Sequence, residues 1–88
     1  MNMQFDQQLD TRGLRCPLPI LRCKKALAEL QAGQVLKTLA TDPGATKDFH
    51  TFCKQTGHQM LHYEETSEQD DAGAARQLFI FFIQKKTA

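Results

Sequence analysis

The sequence predicts an α/β fold of the α+β kind, a two-layer βαβαββ sandwich in which two helices cover one face of a four-stranded mixed sheet. Three observations carry this reading. Apolar residues recur at helical spacing in two stretches and follow a strand pattern in four others. Each helical stretch stands between two strands, the order that lays helices on a sheet. The chain has 88 residues, 41% of them hydrophobic, which is enough for one domain spanning residues 1–88, with no internal repeat or long linker to divide it.

The first strand is expected around Phe5 to Leu9, ending at Asp10, where Thr11-Arg12-Gly13 reads as a tight turn. A helix from about residue 17 to 31 follows, with Ile20, Cys23, Leu27 and Leu30 on one stripe beside Ala26, and with Gly33 in the place of a C-terminal capping glycine. The run from Val35 to Thr41 is β-prone and stops at Asp42-Pro43-Gly44. Asp42 reads as the N-cap of the second helix with Pro43 at its first position. Ala45, Phe49, Phe52 and Cys53 form its buried stripe, and Gly57 ends it. A third strand is expected from His58 to Glu64. An acidic, solvated connection from Glu65 to Arg76 then leads to a fourth strand from Gln77 to Gln84. Leu78 to Ile83 is apolar on both faces, so Phe79, Phe81 and Ile83 read either as core with an edge packed under the acidic connection or as a partner-docking patch.

Composition narrows the function. A net charge of +1 and ordinary hydrophobicity exclude a wholly disordered chain and a nucleic-acid-coating tail. No run approaches the ~18 apolar residues of a membrane span. The polar N-terminus lacks a signal-peptide layout, so the expected location is cytoplasmic. Three cysteines are too few and too odd for a disulfide scaffold, and in a reducing compartment they are expected to be free thiols.

Cys16 stands apart. It directly precedes Pro17, and a proline at the first helical position would put Cys16 at the N-cap, where unpaired N–H groups and the helix dipole favour an anion. A thiolate is such an anion, and Arg12 and Arg15 add positive charge, so the expected thiol pKa is lowered. Pro19 falls in the first turn, where its missing N–H costs little, and stiffens the loop. From the residues alone, a reactive thiol and a cysteine that merely caps a helix both stand. Cys23 and Cys53 lie on apolar stripes and read as core. A Cys16–Cys23 disulfide would need to span roughly 10 Å along the helix, more than the ~7 Å a bridge allows.

Other constellations are weaker. His50 and Cys53 are three apart on a helix and supply only two ligands, while His58 and His62 are ~13 Å apart on a strand, so no metal is expected. No phosphate-cradling glycine loop occurs. Charge is unevenly placed. Residues 11 to 25 carry Arg12, Arg15, Arg22, Lys24 and Lys25 with no acid, whereas Glu64, Glu65, Glu68, Asp70 and Asp71 supply half the acids. The basic run reads as a solvated helix face or as a docking surface around Cys16. Aromatic residues do not interleave with it, which disfavours direct nucleic-acid binding.

The string Leu9-Asp10-x-x-Gly13-Leu14-x-Cys16-Pro17-x-Pro19 resembles the TusA/SirA-like sulfur carrier family, together with Lys24-Lys25-Ala26-Leu27, Gly33, Asp42-Pro43 and the stretch from Phe52-Cys53 to Gly57-His58. The resemblance implies a βαβαββ sandwich whose Cys16 carries sulfane sulfur as a persulfide, with Asp10, Gly13, Pro17 and Pro19 as supporting motif residues and no cofactor. It further implies a cysteine desulfurase as donor and a downstream relay protein as acceptor. The product is then 2-thiouridine at the tRNA wobble position, and members of other branches serve molybdenum cofactor synthesis or sulfur oxidation. Such a protein is a sulfurtransferase-type carrier rather than a stand-alone turnover enzyme, and a monomer is expected. Arg12, Arg15, Arg22, Lys24 and Lys25 are the expected docking residues. An RNA-binding or protein-interaction module is the alternative from another class. The chain departs from the family pattern at Thr41, where an acidic residue is usual, and in the length of the connection from Glu65 to Arg76.

Overall fold

The computed structural model describes residues 4–87. Its elements are β1 (Gln7–Thr11), α1 (Leu18–Glu29), β2 (Val35–Ala40), α2 (Ala45–Thr56), β3 (Gln59–Gln69) and β4 (Ala75–Gln84). The sheet order is β1-β2-β4-β3. β1 and β2 are parallel, and β4 runs antiparallel to both β2 and β3. The sheet is therefore mixed, as expected. A parallel pair needs a crossover, and α1 supplies it between β1 and β2. β3 runs in the same direction as β2, so α2 makes a second crossover, with β4 inserted between the two strands it joins.

Both helices pack on one sheet face. Cys23 and Leu27 of α1 and Ala45, Phe49, Phe52 and Cys53 of α2 meet Leu36 and Ala40 of β2 and Phe79, Phe81 and Ile83 of β4. Phe81 sits at the centre, stacked on Phe49 at 4.5 Å between centroids and on Tyr63 at 5.3 Å. Phe79, Phe81 and Ile83 are thus core beneath the helices, and the acidic segment does not cover them. The opposite face carries Leu78, Ile80 and Phe82. Phe82 is closed off there by Phe5, His62 and Lys37, whose Nζ lies 5.8 Å from the Phe82 ring centroid.

Several boundaries differ from expectation for local reasons. β1 starts at Gln7 and runs to Thr11, because its parallel register continues until Thr11 faces Ala40. α1 begins at Leu18 with Pro17 as its N-cap, so Cys16 lies one residue outside the helix. It ends at Glu29 with Leu30 as C-cap, and Gly33 (φ +86°) instead serves the turn into β2. α2 begins at Ala45 with Gly44 as N-cap, so Asp42 is not its cap, although the helix does end at Gly57 in the left-handed conformation.

The largest difference is at the acidic segment. β3 continues past Glu64 to Gln69 and pairs with β4 down to Ala75, so only residues 70–74 form a turn. Asp70 shapes that turn by accepting the N–H groups of Ala72 and Ala74, each at 2.9 Å. An edge strand extending beyond the helices needs no apolar face, so alternation could not reveal it. Cross-strand pairing reveals it instead, in Arg76 Nη2 at 2.7 Å from Glu68 Oε2.

Candidate functional site

Because β1 and β2 are parallel and in register to the Thr11–Ala40 pair, the chain leaves both strands at the same end of the sheet. The loop of residues 12–17 therefore lies beside the loop of residues 41–44. The buried Thr11 hydroxyl donates to the Leu39 carbonyl and fixes the end of β1 to β2. Beyond it, two side chains of the second loop accept backbone N–H groups of the first. Thr41 Oγ1 takes the Gly13 N–H at 2.9 Å and Asp42 Oδ2 takes the Cys16 N–H at 2.9 Å. Gly13 is at φ +81°, a turn conformation that suits glycine. The two loops frame an open cleft of about 430 Å³ lined by Gly13, Leu14, Arg15, Thr41, Asp42 and Pro43.

Cys16 is exposed, whereas Cys23 and Cys53 are buried, and none of the three is in a disulfide. Burial pushes the Cys23 thiol up to about 12 and the Cys53 thiol up to about 11. Sequence reasoning expected a lowered pKa at Cys16, and the structure reverses the sign. The Asp48 carboxylate holds the thiol above its ordinary value, with further contributions from desolvation and from the charge of Asp42. The cause is topological. Cys16 is one residue short of the N-cap of α1, and the charges that act on its thiol are Asp42 and Asp48, the latter in the first turn of α2.

The other motif residues take distinct places. Asp10 Oδ1 accepts the backbone N–H of Arg12 at 3.0 Å and its Nε at 2.9 Å. Arg12 thus folds back over Asp10, and its Nη1 reaches Glu68 Oε1 at 3.1 Å. These bonds raise the Arg12 pKa further, and its charge is directed at the sheet end. Pro17 is exposed at the start of α1, the Cys16-Pro17 peptide is cis, and Pro19 is buried. Arg15, Arg22, Lys24 and Lys25 are all exposed.

Five residues take a place at the site that the sequence did not assign them, although Thr41 and Asp42 stand out in it for other reasons. Leu18 and Leu21 are 44% and 54% exposed, unusually open for leucines, and lie off the buried stripe of α1. Their spacing with Arg22 and Lys25 puts all four on one outward face of the helix, a signal present in the sequence. Thr41, Asp42 and Asp48 gave no such signal, because their contacts join segments about 26 to 32 residues apart in the chain and no local pattern encodes them.

Among the described residues, no three His, Cys, Asp or Glu side chains gather in a way that could hold a metal ion. No helix among them is long and apolar enough to cross a membrane.

A sequence model of the family described as Sulfurtransferase TusA matches residues 7–85. The chain is 57% identical over 61 residues to the Sulfur carrier protein TusA of Allochromatium vinosum, spanning 69% of this chain and 80% of that relative. It is 40% identical over 81 residues to the Sulfur carrier protein TusA of Pseudomonas entomophila, spanning 92% and 90%. Among solved structures, a SirA-like protein from Desulfitobacterium hafniense shares the fold with a TM-score of 0.55 at 28% identity, over 86% of this chain and 96% of that one.

Proposed function

Because the chain belongs to the TusA sulfurtransferase family, we propose that it is a sulfur carrier that holds sulfane sulfur as a persulfide on Cys16. The observation that carries this reading is the contrast among its three thiols. Cys16 is exposed beside an open cleft, while the other two are sealed in the core. A carrier needs one thiol that partners can reach and no second thiol to intercept the cargo.

Persulfide transfer is attack of a thiolate on a sulfane sulfur. The Cys16 thiol gives up its proton, and its sulfur attacks the terminal sulfur of a donor persulfide. A new S–S bond forms at Cys16, the S–S bond of the donor breaks, and the donor cysteine leaves as a thiolate that takes up a proton. Handover to an acceptor repeats the exchange with Cys16 as the leaving thiolate. No oxidant or cofactor enters either step.

The donor in this reading is a cysteine desulfurase and the acceptor a downstream relay protein, with 2-thiouridine at the tRNA wobble position as the end product, in the cytoplasm. Arg15, Arg22, Lys24 and Lys25 are exposed beside Leu18 and Leu21, a combination of apolar anchors and a charged rim that fits a protein interface. Arg12 belongs less to this surface, since its guanidinium is engaged by Asp10 and Glu68.

The test is intact mass after incubation with a cysteine desulfurase and L-cysteine. The expected product is heavier by one sulfur atom, reverts under thiol reductant, and is absent in Cys16→Ser. A wild-type chain that gains no sulfur, or a Cys16→Ser chain that still does, overturns the reading. Nucleoside analysis of tRNA from cells carrying Cys16→Ser as their only copy tests the end product, with loss of 2-thiouridine expected.

A further inference from the structure

We infer that Thr41 and Asp42 are positioning residues for Cys16, a two-point clasp that holds the cysteine loop in the geometry from which sulfur is transferred. The inference rests on the carrier reading and names the residues that would make it effective. Between Thr11 and Leu18 the chain has no regular structure of its own. Its backbone is tied to the neighbouring loop at Gly13 through Thr41 Oγ1 and at Cys16 through Asp42 Oδ2. Asp42 is itself anchored, because its other carboxylate oxygen accepts the Gly44 N–H at 3.3 Å and its carbonyl accepts the Ala45 N–H at 2.9 Å. The cysteine loop is thereby referred to the start of α2 rather than left to its own flexibility.

Both donors are exposed backbone groups that water could satisfy, so burial does not demand the clasp. Nor does the reactivity of the thiol. A carboxylate beside Cys16 disfavours the thiolate, so Asp42 works against the nucleophile as a charge. What it supplies is direction, through a hydrogen bond to the backbone of the reacting residue. Two proteins exchanging a sulfur atom must align three sulfurs nearly in line, and a loop free to swing by an ångström forfeits much of that alignment.

The experiment measures sulfur transfer from a persulfide-loaded cysteine desulfurase to the full chain over a range of carrier concentrations, alongside the pH profile of Cys16 alkylation by iodoacetamide. Asp42→Ala is expected to lower the maximal transfer rate about tenfold while leaving the half-saturating concentration unchanged. Asp42→Asn keeps an acceptor oxygen without the charge and is expected to restore most of the rate, although both variants shift the alkylation profile to lower pH alike. Thr41→Val is expected to slow transfer and Thr41→Ser to restore it. If Asp42→Ala unfolds, the Thr41 pair decides the matter alone. Unchanged maximal rates overturn the clasp. So do equal losses in Asp42→Asn and Asp42→Ala, which would make the charge responsible, and losses confined to half-saturation, which would make Asp42 a docking residue. Failure of the wild-type chain to load Cys16 overturns the carrier reading instead and is recognisable before any Asp42 variant is compared.

Discussion

Arg12 Nη1 lies 3.1 Å from Glu68 Oε1, although the two residues are 56 positions apart in the chain. Glu68 also accepts from Arg76 at 2.7 Å, and Arg12 donates to Asp10 at 2.9 Å. The four side chains thus tie the end of β1 to the far part of the β3–β4 hairpin, and the segment that precedes Cys16 is steadied from the side opposite α2.

This network predicts a specific acid response. Arg76 first and Arg12 second hold Glu68 below its ordinary value of 4.5, and Arg12 holds Asp10 below 3.8. A carboxylate with a depressed folded-state pKa stabilises the fold above its ordinary value and loses that contribution as pH falls through the lower, folded-state value. Glu68→Gln is therefore expected to lower the neutral-pH Tm by a few degrees at most, since ion pairs at the surface, even half-buried ones such as Arg76–Glu68, contribute little. It is also expected to flatten the fall of Tm below about pH 4.5. Thermal melts by circular dichroism from pH 7 to pH 2 check both, and a variant with the wild-type acid profile contradicts the network.

The thiol of Cys16 is expected to react slowly for an exposed cysteine. Its pKa is raised, first by Asp48, so the thiolate fraction at neutral pH is smaller than for a free thiol. Asp48→Asn removes that charge and is expected to move the midpoint of the alkylation profile down, making labelling at pH 7 several-fold faster, since one pKa unit is worth about tenfold. Cys23 and Cys53 should stay unlabelled in the native protein. A midpoint unmoved in Asp48→Asn contradicts the assignment.

Phe81 is fully buried between Phe49 and Tyr63, and its ring touches both layers of the sandwich. Phe81→Ala is expected to cost about 3–5 kcal/mol in urea unfolding. Phe5→Ala, on the opposite face where Phe5 is 43% exposed, is expected to cost much less. Comparable losses in the two variants would mean that the outer face contributes as much as the helix-covered one.

The outward stripe of α1 predicts how partners are engaged. Leu21→Asp and Lys25→Glu each introduce an acid on the face that carries Leu18, Leu21, Arg22 and Lys25. Both are expected to raise the half-saturating concentration for transfer from a cysteine desulfurase several-fold, with rising salt weakening the wild type toward the Lys25→Glu level. Alkylation of Cys16 by iodoacetamide should be unchanged in both. Transfer that ignores both substitutions would place the docking surface elsewhere.

Local sequence patterns are enough for the number and order of the elements, the helical stripes through Cys23 and Leu27 and through Phe49 and Phe52, and the separation of Cys16 from two core thiols. These are legible because hydrophobic periodicity and turn residues act over a few positions. The same holds of the family, since the motif from Leu9 to Pro19 is a local string. The tertiary structure alone decided what surrounds the sulfur. Parallel pairing of β1 with β2 sets Thr41 and Asp42 against Gly13 and Cys16, and the start of α2 brings Asp48 to the thiol, so acids rather than arginines set its pKa. It likewise turned an acidic segment read as a solvated loop into a long hairpin, because cross-strand partners such as Glu68 and Arg76 stabilise an edge strand that has no apolar face to announce it. Electrostatic sign and loop geometry depend on distances through space, and in this chain those distances are closed by a sheet register that joins residues about thirty positions apart.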